Sequence, residues 1–232
     1  MHFRFPFHRS TRDLRDISAY RLEHPVTEKD SWPARSYAQA ACSFDIVAFA
    51  SSAGGLSALS RVFSALPEDF PAGIVVVQHL DPRHRSLMAE ILSRRTHLKV
   101  KEAEEGDKLT GGTVFIAPPN RHLLVNADRS LSLTQSELVH FVRPSADLLF
   151  ESVAASHRER AIAVVLTGSG TDGAMGVKAI KKMGGTLIVQ DKETSEFFGM
   201  PEAAMQSGQV DFILRLDEIP SALLTLTLKG EL

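Results

Sequence analysis

The chain has 232 residues, with 26 basic and 28 acidic side chains, so its formal net charge is −2 with neutral histidines. Its 44% share of apolar residues can build a full core, which excludes a wholly disordered chain. The sequence has no run of about twenty apolar residues, which excludes an integral membrane protein, and its near-neutral charge argues against nucleic-acid binding. The length fits one ordinary domain, or one domain with a tail.

Cysteine usage indicates a reducing compartment. Cys42 is the only cysteine, so the chain can form no internal disulfide and has no second thiolate for a metal cluster. The N-terminal residues are basic and aromatic but lack the apolar segment and cleavage site of a secretory signal. We therefore expect a cytoplasmic protein.

The first 43 residues differ from the rest, because their apolar positions follow neither a strand nor a helix period. We predict that residues 1–43 form a tail and that residues 44–232 form the folded domain. In an alternative interpretation, Phe3, Phe5 and Phe7 alternate with polar positions as in a strand, and the segment docks on a partner or on the domain.

From residue 44 onward, short apolar runs alternate with helical stretches. In chain order we predict a strand at 44–50, a helix with its apolar face at 56–66, a strand at 73–78, a helix near 85–95, strands at 98–103 and 113–118, a β-hairpin at 121–134, a helix from 145, a strand at 161–167, a helix at 174–183, a strand at 185–190, a helix near 201–207, a strand at 209–214 and a helix near 217–227. Strands that are apolar throughout and alternate with helices indicate a mostly parallel sheet covered on both faces. We therefore predict a doubly wound α/β fold with an inserted β-hairpin.

In such sheets, ligand-binding and catalytic residues lie at the carboxyl ends of strands, near a switch in strand order. The first predicted strand ends in two serines, Ser51 and Ser52. A nucleophilic serine on a tight strand-to-helix turn needs small residues two positions before and after it. Ser52 has Ala50 and Gly54 there, whereas Ser51 follows Phe49 by two positions, so Ser52 is the better candidate. The alternative is that one serine only caps the following helix.

The second strand ends at His79, where the buried run stops and a loop begins. Histidine is the usual general base for a serine hydroxyl, because it accepts and returns a proton near neutrality. A structural role at the strand end is the alternative. His79 and His84 lack a convincing metal-ligand spacing, so we predict no metal site.

The third strand end carries Asp172 after a glycine-rich turn. This carboxylate could accept the second ring proton of His79 and fix its tautomer. Alternatively, Asp172 caps the helix that follows it. Both roles are compatible only if its two oxygens divide the contacts.

The same turn also supports a different hypothesis. Residues 168–173 match the G-x-G-x-x-G pattern between a strand and a helix, and the next strand is followed by Asp191, as in dinucleotide-binding proteins. This turn occurs late in the chain, however, and a nucleotide site would leave Ser52 and His79 unexplained. The triad hypothesis uses all three strand ends.

Several separate segments, in one order from residue 44 to the last helix, resemble the catalytic domain of the CheB family of chemotaxis protein-glutamate methylesterases. These segments are SSAGG, VVVQHLDP, KEAEEGD, IAPPNRHL, RPSADLLFESVA, LTGSGTDGAMG and FGMPEAA. The resemblance implies that Ser52 is the nucleophile, His79 the base and Asp172 the orienting carboxylate. It also implies that no cofactor is needed.

The implied substrates are glutamate γ-methyl esters on the helices of methyl-accepting chemotaxis receptors and, in some members, glutamine amides. We expect the oxyanion donors to be backbone amides near Ala53 and in the Ser169–Gly170 turn, and Met200 to belong to the pocket. The chain departs from the family pattern at Ala50, where glycine is usual, and at Ser169, where methionine is usual. The second departure puts substrate preference in doubt more than catalysis.

Chemotaxis enzymes of this family carry a phosphorylatable receiver domain before the catalytic domain. Residues 1–43 are too few for such a domain, so we expect no regulation by phosphorylation in cis. We expect an open catalytic domain, or one gated in trans by a response regulator. The alternative function is a non-catalytic CheB-like module in a signalling pathway outside chemotaxis.

Overall fold

The computed structural model describes residues 44–79, 86–207 and 209–228. In chain order its elements are β1 (Ile46–Ser51), α1 (Gly55–Ser64), β2 (Gly73–Gln78), α2 (Met88–Ser93), β3 (Lys99–Glu102), β4 (Thr113–Ile116), β5 (His122–Val125), β6 (Leu131–Thr134), α3 (Ala146–His157), a 3₁₀ turn (Arg158–Arg160), β7 (Ala161–Val165), α4 (Ala174–Lys182), β8 (Thr186–Gln190), α5 (Gly199–Gln206), β9 (Phe212–Leu214) and α6 (Ile219–Leu228). The tail predicted at 1–43, with Cys42, lies outside the described residues, as does His84.

Seven strands form one sheet in the order β3-β4-β2-β1-β7-β8-β9, and every neighbouring pair in it is parallel. Strands β5 and β6 form a separate antiparallel hairpin. The chain builds one side of the sheet from β1 through β2 and returns to the other side at β7. The predicted α/β fold with an inserted hairpin is confirmed.

Both faces of the sheet are covered, which explains why its central strands are apolar throughout. Along β1, Ile46, Ala48 and Ala50 belong to the core that includes α3, α4 and the hairpin. The alternate residues Val47 and Phe49 belong to the core on the opposite face, where the Phe49 ring meets Phe63 of α1 edge to face at 5.2 Å. Because successive side chains of a strand point to opposite faces, the apolar run of β1 contributes to the core on each face of the sheet.

Several predicted elements are shorter in the structure by one or two residues, and two differ by more. The strand predicted at 209–214 is regular only over Phe212–Leu214. The Asp211 amide still donates to the Leu187 carbonyl of β8, but the Leu187 amide donates to the Asp211 carboxylate, which also binds Lys181, and not to a backbone carbonyl. The helix predicted near 85–95 is confined to α2. Among the described residues, no helix is long and apolar enough to cross a membrane.

Candidate active site

The three residues singled out in the sequence follow three neighbouring strands of the sheet. Ser52 follows β1, His79 follows β2 and Asp172 lies in the loop after β7, while β1 pairs directly with both other strands. All three strands are parallel, so their carboxyl ends meet at the same edge of the sheet. This edge lies at the switch in strand order, where ligand sites of open α/β sheets form.

His79 and Asp172 are in direct contact. The His79 Nε2 atom lies 2.8 Å from Asp172 Oδ2, and the two side chains are 15% and 4% exposed. Because an ionised carboxylate can only accept, Nε2 carries the proton of this hydrogen bond. The lone pair of the neutral ring is therefore on Nδ1, and Nδ1 is the atom that can act as a base.

The carboxylate of Asp172 accepts four hydrogen bonds. Its Oδ2 accepts from His79 and from the Ala146 amide at 2.6 Å, and its Oδ1 accepts from the Ser145 hydroxyl at 2.8 Å and the Asp147 amide at 3.1 Å. Burial alone would raise the pKa of Asp172, but the hydrogen bonds from His79, Ala146 and Ser145 outweigh it and hold the pKa below its ordinary value. The group is therefore ionised at neutral pH.

Asp172 accepts amides at the start of α3, so the alternative that it caps the following helix is wrong. The N-cap of α4 is Gly173, whose φ of 99° turns the chain in the left-handed region open to glycine. This turn directs the Asp172 side chain away from α4 and towards the first amides of α3. The carboxylate does both jobs without dividing them between its oxygens, because Oδ2 accepts from His79 and from the Ala146 amide at the start of α3.

Ser52 lies half-buried between the ends of β1 and β7. Its amide donates to the Thr167 carbonyl at 3.1 Å, and its carbonyl accepts the Gly55 amide at 2.9 Å. The N-cap of α1 is Gly54, without a side-chain cap, so the alternative that a serine caps this helix is wrong. Within the described residues the Ser52 hydroxyl has no hydrogen-bond partner and is available to a substrate.

Ser51 has a structural role. Its side chain is fully buried, and its hydroxyl donates to Gln78 Oε1 at 2.7 Å. The Gln78 amide nitrogen in turn donates to the carbonyls of Ser52 and His79, at 2.7 and 3.1 Å. Gln78 therefore joins the nucleophile candidate to the base candidate, a role that sequence analysis missed. The available signal was a glutamine that ends an otherwise apolar, buried strand.

A second buried side chain missed by sequence analysis, His122, is linked to Asp172 through Ser145. The Ser145 amide donates to His122 Nδ1 at 3.1 Å, which leaves the ring proton on Nε2, where it meets the Glu137 carbonyl at 3.0 Å. Ser145 in turn donates its hydroxyl to Asp172. His122 lies at the start of the hairpin, and nothing in the local sequence shows that its ring lies against the start of α3.

The expected oxyanion and pocket residues lie around Ser52. Within the described part of the chain, the amides of Ala53, Ser169 and Gly170 donate no hydrogen bond, so they are available to a ligand. Met200 is buried and packs on Gly168: an added Cβ on that glycine would overlap the methionine sulfur and lie 2.9 Å from Ser52 Cβ. The methionine therefore lies close behind the candidate nucleophile.

The two departures from the family pattern lie in different surroundings. Ala50 is fully buried, so the residue two positions before Ser52 belongs to the core. Ser169 is exposed in the loop after β7, at the rim of the site. The alanine therefore affects packing under the turn, whereas the serine can contact a bound molecule.

A cavity of about 180 Å³ opens beside His79. Its other lining residues come mainly from the segment before α3 and are Asn120, Leu138, Phe141, Val142, Arg143 and Pro144. The Arg143 guanidinium is already engaged, since it donates to Asn120 Oδ1 and to the carbonyls of Gln135 and Ser136. The cavity therefore offers an apolar wall rather than a free cation.

The structure does not support the dinucleotide-binding hypothesis, because Asp191 and Asp172 both bind other groups of the protein. Asp191 accepts hydrogen bonds from the amide and hydroxyl of Thr194, which close a local turn. Asp172, inside the G-x-G-x-x-G pattern, is occupied by His79 and α3. Among the described residues, no group of three or more histidine, cysteine, aspartate or glutamate side chains could hold a metal ion.

Comparison with known proteins assigns the chain to a family. The family model described as CheB methylesterase matches residues 47–223. The chain belongs to the CheB methylesterase family. The crystal structure of the Thermotoga maritima CheB methylesterase catalytic domain is similar to it, with a TM-score of 0.77 and 39% identity, over 79% of this chain and 99% of that one. The family resemblance inferred from the sequence is therefore confirmed.

Curated relatives agree with this assignment. Proteins of Pyrococcus horikoshii and Thermotoga maritima, each named protein-glutamate methylesterase/protein-glutamine glutaminase, are 39% and 40% identical to the chain over 90% and 80% of its length. The chain covers only 55% of each of these two proteins. A Leptospira interrogans protein is 40% identical over 76% of the chain, and the match covers 91% of that protein. The CheB family thus includes relatives little longer than the matched domain.

Proposed function

We propose that the chain is a protein-glutamate methylesterase that uses Ser52, His79 and Asp172 as a catalytic triad. Its substrates would be glutamate γ-methyl esters on the cytoplasmic helices of methyl-accepting chemotaxis receptors, which places the enzyme in the cytoplasm. Glutamine amides are a second substrate class, as the names of the relatives indicate for those proteins. The 2.8 Å contact between His79 and Asp172, beside the strand end that carries Ser52, supports this proposal most strongly.

In the first half of the reaction, the Ser52 hydroxyl oxygen attacks the ester carbonyl carbon while its proton passes to His79 Nδ1. The imidazolium that forms keeps its Nε2 proton in a hydrogen bond to Asp172, which stays ionised because its pKa is held low, so the charge pair is stabilised. The tetrahedral intermediate then breaks its bond to the methoxy oxygen, which takes the proton from Nδ1 and leaves as methanol.

In the second half, water replaces methanol. It loses a proton to His79 Nδ1 and attacks the glutamyl ester on Ser52; the proton then returns to the Ser52 oxygen as the receptor carboxylate leaves. For a glutamine substrate, ammonia leaves in the first half and the second half is the same. The unengaged amides of Ala53, Ser169 and Gly170 supply candidate donors for the oxyanion in both halves.

Methanol release from methylated receptor membranes tests this proposal. We expect Ser52→Ala to abolish release and a serine-directed fluorophosphonate to label wild-type protein at Ser52. The matched control is Ser57→Ala, on the exposed face of α1, which should retain wild-type release. Undiminished release by Ser52→Ala would refute the triad, whereas no release by wild-type protein would favour a non-catalytic signalling module.

A further inference from the structure

Asp172 of the candidate triad and its neighbour Asp147 cap each other's helices. Asp172, just before α4, accepts the amides of Ala146 and Asp147 at the start of α3. Asp147, in the first turn of α3, accepts with Oδ1 the amides of Met175 and Gly176 at the start of α4, at 2.9 and 2.7 Å. Each carboxylate therefore satisfies amides of the other aspartate's helix, which helix N-termini need.

These contacts close a ring through Asp172. From the Asp172 carboxylate the ring runs to the Asp147 amide, through the Asp147 side chain to the amides of α4, and back along the chain to Asp172. The helices approach so closely that a Cβ on Gly176 would lie 2.6 Å from Phe150 Cβ and 3.0 Å from Asp147 Cα. The position of Asp172 relative to α3 therefore depends both on its own bonds to the α3 amides and on the bonds of Asp147 to the α4 amides.

Burying the Asp147 carboxylate at this position is unfavourable for the stability of the fold. It is 3% exposed, and its Oδ2 makes no hydrogen bond within the described residues, although the imidazole Nε2 of His140 lies 3.4 Å away. Burial raises the pKa of Asp147, and the neighbouring charge of Asp172 raises it further. A buried carboxylate beside another carboxylate destabilises a fold unless its hydrogen bonds compensate. The hydrogen bonds from the Met175 and Gly176 amides supply this compensation, so the contacts between Asp147 and α4 are what hold the carboxylate at this position.

We propose that Asp147 is a positioning residue for the triad, which keeps the Asp172 carboxylate in line with His79 by tying the start of α4 to the start of α3. Asp147 itself touches no reacting atom. It acts through the hydrogen bonds that it makes to Met175 and Gly176, so any acceptor that reaches both amides should preserve the alignment. This inference rests on the proposed esterase function of the site.

Two substitutions separate the cap from the charge. Asp147→Asn retains an oxygen for the two amides and removes the charge, whereas Asp147→Ala removes both. We expect Asp147→Asn to keep kcat close to wild type and Asp147→Ala to lower kcat at least about tenfold with KM unchanged, because a misplacement of about 1 Å costs up to 10²-fold. Should Asp147→Ala not fold, Asp147→Ser replaces it; its shorter oxygen cannot reach both amides, and the same loss is expected.

A proton NMR signal reports the alignment directly. The His79 Nε2 proton, shared with Asp172, should give a downfield resonance in wild type and in Asp147→Asn, and this resonance should shift upfield or vanish in Asp147→Ala. The control is Asp107→Ala, which removes an aspartate that accepts the Glu104 amide and binds Lys101 near the edge of the sheet. It should lower stability without changing kcat or the resonance.

The outcomes distinguish this inference from the proposed function. Wild-type protein that releases no methanol would refute the esterase. An active wild type whose Asp147→Ala or Asp147→Ser variant, folded at the assay temperature, keeps both kcat and the downfield resonance would overturn the positioning role. An equal loss in Asp147→Asn and Asp147→Ala would also overturn it, because the charge and not the cap would then matter.

Discussion

The side-chain amide nitrogen of Gln78 lies 2.7 Å from the carbonyl oxygen of Ser52. The same nitrogen donates to the His79 carbonyl, and the Gln78 Oε1 atom accepts the Ser51 hydroxyl. One buried amide thus uses its donors on both strand ends that carry the candidate nucleophile and the candidate base. The distance between these two residues is therefore set by a side chain that takes no part in the chemistry.

Replacing this amide should separate the two strand ends. Gln78→Glu keeps an acceptor for Ser51 but turns a donor into an acceptor that faces two carbonyls. We expect the free energy of unfolding to fall by about 1–3 kcal/mol, the cost of unpaired buried polar groups. We also expect the fluorophosphonate to label Ser52 at least about tenfold more slowly, as misplacement implies.

Urea denaturation and labelling kinetics measure these effects, with Gln206→Glu on the exposed surface of α5 as the matched control. A Gln78→Glu variant that is labelled as fast as wild type would show that Gln78 does not position Ser52.

The stability of the fold should decrease as the pH falls below 6.5 because of His122. Burial lowers the pKa of His122 from 6.5, and the nearby Arg143 lowers it too, while the Glu137 carbonyl and Asp172 oppose this. Below 6.5 the unfolded chain therefore binds a proton that the folded chain rejects, which costs up to about 1.4 kcal/mol per pH unit. His157, whose pKa burial also lowers, adds a loss of the same sign.

The comparison of His122→Asn with wild type isolates the first contribution, because Asn can still accept the Ser145 amide but does not titrate. We expect its unfolding free energy, measured in urea between pH 8 and pH 5, to depend less on pH. Ser57→Ala, at an exposed residue of α1 that does not titrate, should keep the wild-type slope. An unchanged slope in His122→Asn would contradict the assignment.

Asp172 should stabilise the fold at neutral pH through its ionised form. Its folded pKa lies below the ordinary 3.8, so its contribution is fully present above 3.8 and is lost as the pH falls further. Ser145→Ala removes one donor and should raise the pKa of Asp172. We expect this variant to be less stable at pH 7 by about 1–3 kcal/mol, with a smaller difference from wild type at pH 3.

Urea unfolding at both pH values tests this, with Ser221→Ala, an exposed helical serine, as the control. An equal difference between Ser145→Ala and wild type at pH 7 and pH 3 would mean that the hydroxyl does not act through the Asp172 charge.

Gly168 should be required for space beside the nucleophile. Its missing Cβ would overlap the Met200 sulfur and press on Ser52 Cβ, so Gly168→Ala should lower kcat/KM by about 10²-fold. Met200→Ala in the same chain makes room on one side and should restore part of the loss. A double-mutant cycle on kcat/KM measures this coupling. Additive effects of the two substitutions would rule out the steric explanation.

The agreement between sequence and structure differs from element to element. The apolar run at 73–78 predicted β2 to the residue, because a strand buried on both faces is apolar at every position. The run at 209–214 overestimated β9, an edge strand whose first residues bind other groups. The alternative cap by Asp172 was considered only for the following helix, because a local pattern favours the nearest amides and does not show that the carboxylate accepts the first amides of α3.

The sequence by itself determined the α/β class, the family, and the three polar residues at the ends of apolar strands. Each of these depends on local periodicity or on short segments, which neighbouring residues specify. Only the tertiary structure decided that β2, β1 and β7 are adjacent, that Asp172 caps α3 and that Gln78 joins two strand ends. These contacts connect residues 93, 26 and 26 positions apart, for His79–Asp172, Ala146–Asp172 and Ser52–Gln78, and strand order alone determines which distant groups meet.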